Sequence, residues 1–412
     1  MTARLSSTVY GAFYRIYVHD SYVLTFGPEE TSTVLWTLSR DRRLLENPKA
    51  LTILPYPEGI PPVFDVSRGL VAVAKRGARP HTLHVFDFTT GNPIRTLSLY
   101  GLVDGIRMPY SSKQGRGLMG TEKDGVPCVL VVDVAGNGWI EGTAHIPPDL
   151  PTGRDGPSPQ LNAVHISDDG DIVCAYTPAF HLGSMKCLTL LRWFDVPDEA
   201  TLPVCRMDLP VRLEDGNHIS LSCSTPLGVD AFLVCAFEIV AGFMDSSSTR
   251  QSVLRAIDTR TLGVRWEAQS LSGEVFRVHH HPDRGVVIAF GSMDAREGAG
   301  PSVPVLYIAA LDANTGSLLR CERINHLAQD VDIRLCTLAG DVVVLVCENG
   351  TVSITPVNDF LTRGLARHGE TEKLVVQSPL GDENIDFTLV HAAVSTSSVM
   401  IATPNTLNVI SW

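Results

Sequence analysis

Three features of this 412-residue chain predict an all-β fold made of repeated units, a β-propeller. Helical periodicity is scarce, and in its place stand short runs of Val, Ile, Leu, Phe and Tyr punctuated by Gly, Pro, Asn and Asp. A hairpin recurs along the chain: an apolar strand, often an Asp, a turn holding Thr or Gly, then another strand. A second pair of short strands precedes each hairpin, so each unit holds four strands, and four-stranded units repeated radially are the pattern of a propeller.

Eight units follow in order. The first has "TVLWTLSRDRRLLEN" from Thr33 in the hairpin place, without the turn signature. The second joins "VFDVSRGLVAVAKRG" from Val63 to the hairpin "TLHVFDFTTGNPIRTLSL" from Thr82. The third carries "VLVVDVAGNGWIEGTAHI" from Val129, and the fourth "NAVHISDDGDIVCAY" from Asn162 with "LTLLRWFDVPDEATLPVCRM" from Leu188. The fifth hairpin is "VLRAIDTRTLGVRWEA" from Val253; the sixth unit joins "RVHHHPDRGVVIAF" from Arg277 to "VLYIAALDANTGSLLRCERI" from Val305. The seventh has "DIRLCTLAGDVVVLVCENG" from Asp332 and a degraded hairpin, "TVSITPVNDFLTRGL" from Thr351. The eighth, "FTLVHAAVSTSSVMIATP" from Phe387, stops at "NTLNVISW" after three strands. Its missing strand is expected from "SSTVYGAF", Ser6 to Phe13, which would pair the chain ends and remove an open sheet edge. Seven blades is the alternative, if the first or third unit is misread. The chain thus reads as one propeller domain, residues 1–412. The Asp-x-x-Thr-Gly turns have a physical reason: the carboxylate accepts backbone N–H groups and Gly accepts positive φ.

Composition narrows the function classes. With 44% hydrophobic and 19% charged residues the chain is globular. A net charge of −12 argues against nucleic acid and anionic membranes as partners, since both need concentrated Lys and Arg. The densest basic run, "SRDRRLL" from Ser39, contains its own Asp41. None of the nine cysteines falls in a Cys-x-x-Cys pair, and Cys235 and Cys347 sit inside apolar runs, the pattern of buried free thiols in a reducing compartment. The opening "MTARLSSTVYG" holds no apolar stretch of signal-peptide length, and the longest apolar run, Ala231 to Met244, holds Glu238 and is too short to span a bilayer. The expectation is an intracellular protein, cytoplasmic or nuclear, monomeric outside a complex.

Several motifs invite chemistry. In "VHHHPDRG" the three histidines end a first strand and Pro-Asp-Arg-Gly turns the chain. His279 and His281 would share one face of the strand and His280 the other, with no third ligand of metal spacing nearby. His165 aligns with His280, and His218 and His391 also lie in first strands; as these line a propeller's channel, His165, His280 and His391 are candidate channel ligands facing water. "GRGLMG" at Gly115 to Gly120 matches the dinucleotide pattern but lacks the strand before and helix after, and reads as a loop entering a strand. "SDDGD" from Ser167 reads as a solvated turn and "NGT" from Asn349 as an Asn-Gly hairpin turn.

The hairpins "LYIAALDANTGSLL" and "LRAIDTRTLGVRW" are similar to the quinoprotein-type propeller repeat, and "LLRWFDV" resembles the Trp-Asp ending of WD repeats. The resemblance implies the fold. The adjacent cysteine pair of the quinoprotein family is absent, and Trp36, Trp139, Trp193, Trp266 and Trp412 fall in third or fourth strands, so no cofactor is expected.

Extra residues gather in four connections. Three follow second strands: Thr177 to Lys186, Gly242 to Gln251 and Ser292 to Pro304; the fourth, Pro147 to Gln160, joins two units. In a four-strand meander both classes emerge on the same face, and polar loops on a rigid scaffold are where binding resides. Their mixed charge (Arg154, Asp155, Lys186, Asp245, Arg250, Asp294, Arg296, Glu297, with His181 beside them) suits a protein or peptide partner. The reading is a non-enzymatic interaction scaffold. The alternatives are a small-ligand or metal-dependent enzyme using the channel, and a structural subunit of a larger complex.

Overall fold

The computed structural model describes residues 4–11, 13, 15–27, 33–41, 44–51, 62–66, 68–75, 81–99, 116–123, 126–133, 140–145, 160–166, 171–177, 187–193, 203–210, 218–239, 252–268, 271, 273–295, 303–324, 333–347, 352–365, 391–403 and 406–412. Strand β1 (Arg4–Tyr10) comes first. One sheet follows from β2 (Arg15–His19), β3 (Tyr22–Phe26), β4 (Thr33–Leu38) and β5 (Leu45–Leu51). The next holds β6 (Val63–Asp65), β7 (Leu70–Lys75), β8 (His81–Asp87) and β9 (Pro93–Leu99). A three-stranded sheet contains β10 (Arg116–Lys123), β11 (Val126–Asp133) and β12 (Ile140–His145). Then come β13 (Gln160–Ile166), β14 (Ile172–Thr177), β15 (Cys187–Trp193) and β16 (Cys205–Pro210). After them stand β17 (His218–Pro226), β18 (Ala231–Ile239), β19 (Ser252–Asp258) and β20 (Val264–Glu267). The sixth sheet holds β21 (Glu274–His281), β22 (Val286–Ala295), β23 (Val303–Asp312) and β24 (Leu318–Arg323). A second three-stranded sheet has β25 (Ile333–Ala339), β26 (Val342–Cys347) and β27 (Val352–Pro356), followed by helix α1 (Val357–Arg363). The last strands are β28 (His391–Val394), β29 (Ser398–Ala402) and β30 (Thr406–Ser411), and β1 completes their sheet.

The described residues therefore form eight antiparallel sheets, one for each repeat unit, six of four strands and two of three. By its contacts the chain divides into two compact units, residues 1–98 with 325–412 and residues 99–324. Every sheet is a meander of sequence neighbours, apart from the one that β1 closes. The expected pairing of chain ends is present: β1 runs antiparallel to β30 from Arg4 opposite Ser411 to Tyr10 opposite Thr406. Asn408, buried in β30, accepts from Thr8 Oγ1 at 2.9 Å and donates to Thr406 Oγ1 at 2.9 Å. Phe13 lies beyond the strand, buried in a cluster with Ile16, Val23, Met400 and Leu407.

Burial explains why the second strands of the sheets are largely apolar. Strands β26 and β29 are buried at every position, whereas the fourth strands β5 and β24 are mostly exposed. A strand covered on both faces must be apolar on both, while an outer edge strand needs charge.

The Asp turns set the ends of the third strands. Asp87 Oδ1 accepts the Thr89 N–H at 2.6 Å and the Thr90 N–H at 2.8 Å. Asp258 Oδ1 accepts from Arg260 and Thr261 (3.0 and 2.9 Å), and Asp312 Oδ1 from Asn314 and Thr315 (2.9 Å each). In each turn the Thr hydroxyl also donates to that oxygen. The left-handed position is Gly91 (φ 73°), Leu262 (φ 57°) and Gly316 (φ 70°). Leu262 bears a strain of roughly 1–2 kcal/mol there. Its side chain is fully buried in a cluster with Val173, Leu190, Leu209 and Phe232, which offsets it.

Two expectations are corrected. The degraded hairpin from Thr351 is a strand followed by a helix: Val357 and Phe360 bury their side chains, and the Gly364 N–H closes the helix on Asp359 O and Phe360 O. "GRGLMG" is not a loop entering a strand, because its residues from Arg116 onward are β10 itself, paired along its length with β11. Of "SDDGD" only Asp171 is described; Ser167 to Gly170, and "NGT", lie outside the described residues.

Gly316 is the more constrained of the two Asp-turn glycines, since an added Cβ would lie 2.4 Å from the Trp266 ring at a positive φ, against 3.3 Å from Lys49 for Gly91. Gly316→Ala is expected to destabilise by about 1–3 kcal/mol. The urea midpoint should fall with its slope unchanged, and an unaltered midpoint would refute this packing.

Candidate functional site

The two ends of each meander differ. One end carries the turns between first and second and between third and fourth strands, and these are tied together. Ala313 N–H donates to Gly285 O at 2.9 Å, joining the Asp312 turn to the turn that follows the three histidines. The same bond recurs as Leu38 N–H to Ser21 O (2.7 Å), Phe88 to Gly69 (2.8 Å), Thr259 to Asp230 (3.0 Å), Val357 to Asp341 (2.9 Å) and Trp412 to Ser397 (3.2 Å). Pro282 to Arg284 form a single 3-10 turn closed by Gly285 at φ 61°. The Pro-Asp-Arg-Gly segment is thus one copy of a repeated structural bond.

That end also holds the sheets to their neighbours. Trp266 Nε1 donates to Ala313 O at 2.9 Å, and Lys49 Nζ donates to Phe88 O at 2.7 Å and to Thr89 O. Arg192, ion-paired with Asp171, donates to Arg260 O. Each donor comes from the sheet preceding the turn it holds. Arg265 bridges Asp230 and Asp258, 2.8 Å from each carboxylate, and holds the Asp258 carboxyl down to about 2. Asp87 is lowered mainly by the Thr90 N–H, and Asp312 by the Thr315 hydroxyl and N–H.

The other end carries the long connections. In the unit 99–324 they span residues 178–186, 240–251 and 296–302 after second strands, and 146–159 between β12 and β13. Arg154, Asp155, His181, Lys186, Asp245, Arg250, Arg296 and Glu297 lie in these connections, outside the described residues. Asp294 does not belong to a loop: β22 and β23 extend past the expected boundary, pairing Asp294 with Pro304 and Ala295 with Val303.

The histidines are structural in setting. His165 is buried, 6% exposed, and stacks on Phe232 of the following sheet, centroids 5.2 Å apart and planes 10° apart, so it does not face water as expected. His391 Nδ1 accepts the Ile16 N–H at 3.3 Å, linking β28 to β2. His19, which sequence reasoning passed over, stacks on Phe64 at 5.3 Å and 8°. No local pattern signals this pairing, because Phe64 lies on the next sheet, one position out of register with His19. Within the triplet His280 is partly buried opposite Val287, on the face of the core cluster that contains Val278 and Ala289. His279 lies on the other face, edge-on to Phe290, and burial with Arg277 nearby lowers it to about 4. Burial, with His281 beside it, also lowers His280. Among the described residues no three His, Cys, Asp or Glu side chains converge as metal ligands. Cys174, Cys205, Cys223, Cys235, Cys321, Cys336 and Cys347 carry free thiols.

Among solved structures the chain is similar to the C-terminal WD40 domain of Sif2, at 11% identity and TM-score 0.56 over 100% of this chain and 98% of that one. It is similar also to the Dos1 propeller, at 11% identity and TM-score 0.57 over 99% and 95%. At such identity the likeness speaks for the fold, a WD40-like β-propeller. No family model matches the chain, and no curated protein matches it.

The Asp258 carboxyl gives a pH signature. Its folded value of about 2 lies below the ordinary 3.8, so its contribution is full above 3.8 and is lost as pH falls toward 2. Asp258→Asn should destabilise the protein at neutral pH and lessen the loss of stability across that acid range. Urea midpoints of both proteins measured through the range test this; parallel curves would contradict it.

Proposed function

We propose that this protein is a non-enzymatic interaction scaffold whose long connections in the unit 99–324 bind a protein or peptide partner. The observation that carries the reading is the unequal treatment of the two sheet ends. Turns at one end are short and joined by a recurring backbone bond, while the long polar connections gather at the other end. A rigid scaffold with variable loops at one end is a general binding design, because the sheets hold the loop roots in place while the loops supply contacts. The residues expected to meet the partner are Arg154, Asp155, His181, Lys186, Asp245, Arg250, Arg296 and Glu297, with Asp294 at a strand end beside them. Their mixed charge favours polar recognition, which fixes partner choice and association rate more than affinity. The net charge of −12 disfavours a nucleic acid or an anionic membrane in that role. No helix among the described residues is long and apolar enough to cross a membrane. Free thiols fit a reducing compartment, cytoplasm or nucleus, as the place of action.

The experiment is affinity purification with mass spectrometry, comparing wild type with a deletion of residues 296–300 and with the double variant Arg296→Glu, Glu297→Lys. Both variants should keep the wild-type thermal midpoint, because the altered residues follow the last paired residue of β22. Recovery of the specific partner should drop by about tenfold or more, a change of roughly 1.4 kcal/mol. Equal recovery from all three proteins would overturn the reading.

A further inference from the structure

We propose that Cys223 and Cys235 form a reversible dithiol–disulfide pair that reacts with hydroperoxides. Cys223 lies in β17 and Cys235 in β18, and they are direct cross-strand partners. Residues opposed in this way project from one face with Cβ atoms about 4.5–5.5 Å apart, and the short end of that spacing meets the longest Cβ separation that a disulfide spans, about 4.5 Å. No other cysteine in the described strands opposes a cysteine: Cys174 faces Ala163 and Leu191, Cys128 faces Thr121 and His145, and Cys187, Cys205, Cys321, Cys336 and Cys347 face Pro210, Arg192, Ala309, Leu345 and Ile333. The register shifts between Leu221 and Cys223, so the pair stands beside a β-bulge, where strands bend and twist more strongly than in a regular ladder.

The two thiols sit in unequal surroundings. Cys235 has no exposed surface and belongs to the core cluster of β18, β19, β22 and β23. Cys223 packs against the edge of that cluster and is only half-buried, so a small oxidant meets it first. Ser222 Oγ donates to Cys223 Sγ at 3.7 Å and to the Cys235 carbonyl at 3.3 Å. The Cys223 thiol donates to the Cys235 sulfur, which eases ionisation of Cys235, while that hydrogen bond and burial push Cys223 up. The pair thus shares one proton more readily than it loses two.

The chemistry balances with a hydroperoxide as the two-electron oxidant. Cys235 first gives its proton to water; the Cys223 proton then passes to the Cys235 thiolate, and the Cys223 thiolate so formed attacks the peroxide. The O–O bond breaks, Cys223 becomes a sulfenic acid, and the alkoxide takes up the proton that Cys235 released and leaves as an alcohol (water, from hydrogen peroxide). Cys235 sulfur then attacks Cys223 sulfur; the S–O bond breaks, and hydroxide leaves with the Cys235 proton as water. Two thiols have lost two electrons and two protons, and the peroxide has taken them. A thiol reductant reverses the reaction by exchange.

The folded chain is treated with equimolar hydrogen peroxide, its free thiols are alkylated in denaturant, and it is digested with a protease that cleaves before Asp. Asp230 is the sole Asp between the two cysteines, so unbridged protein yields them on separate peptides. The expected product joins both peptides in one species lighter by two hydrogens, and dithiothreitol separates them. Oxidation in urea should form this species about tenfold more slowly, since the folded sheet supplies the proximity. Full alkylation of both cysteines, stable oxygen addition to Cys223, or a bridge from Cys223 to Cys321 would each overturn the proposal. Cys223→Ser should abolish the bridged species and leave Cys235 alkylated, and wild-type mapping decides the matter even if this variant folds poorly.

Discussion

The carboxylate that closes a third strand is the interaction on which much of the described structure depends. Asp87, Asp258 and Asp312 each satisfy two N–H groups and a Thr hydroxyl with a single oxygen. Three donors that would otherwise point into a tight reversal are thereby paired, so the turn can be short and still satisfied. Because the turn is fixed, its carbonyls point outward in a set direction. The preceding sheet uses them: Lys49, Arg192 and Trp266 donate to Phe88, Arg260 and Ala313. A local solution to turn chemistry thus becomes the means by which one repeat holds the next. The interlock is also steric. Leu262 fills the core of the sheet before it, and Trp266 lies where a Cβ on Gly316 would have to be.

A chain of sheets built this way has a problem at its ends, where an unpaired edge would remain. Strand β1 answers it by supplying the fourth strand to β28, β29 and β30. The closure is not backbone pairing alone, since the buried Asn408 amide is satisfied by Thr8 from one chain end and Thr406 from the other. A buried amide satisfied from both chain ends favours this register over a slipped one, as slippage would leave the amide desolvated without its partner.

The sequence was legible wherever the physics was local. The short apolar runs, the Asp-Thr turns and the missing last strand were all readable, because each depends on residues within one hairpin or on simple strand counting. Two kinds of feature were not. The segment after β27 keeps an apolar strand and an Asp, so it resembles a hairpin, yet Val357 and Phe360 are spaced to bury one side of a helical turn. The choice between these is made by burial, which no local pattern states. The histidines failed for a related reason. His165 was expected to face water because it lies in a first strand, but its ring covers Phe232, a residue dozens of positions away on another sheet. Inter-sheet stacking has no fixed spacing in sequence. The loop residues of the candidate face were legible only as length and charge. Even there the boundary at Asp294 moved, because β22 and β23 pair four residues further than turn chemistry suggested, from Ser292 to Ala295.

The two ends of the sheets therefore carry different constraints, and this bears on function. At the tied end the described Asp-Thr turns, and the Pro-Asp-Arg-Gly that follows the three histidines, are engaged in bonds within or between sheets. A partner binding there would have to compete with those bonds or accept a surface set by them. At the opposite end of the sheets in the unit 99–324, connections are as short as 124–125 between β10 and β11 and as long as 146–159 between β12 and β13. Such variation is tolerable because lengthening a surface loop costs only about 0.6 kcal/mol per doubling. The fold thus separates what must stay constant from what can diversify. Recognition is best placed where residues can change without loosening the turn that holds the next sheet.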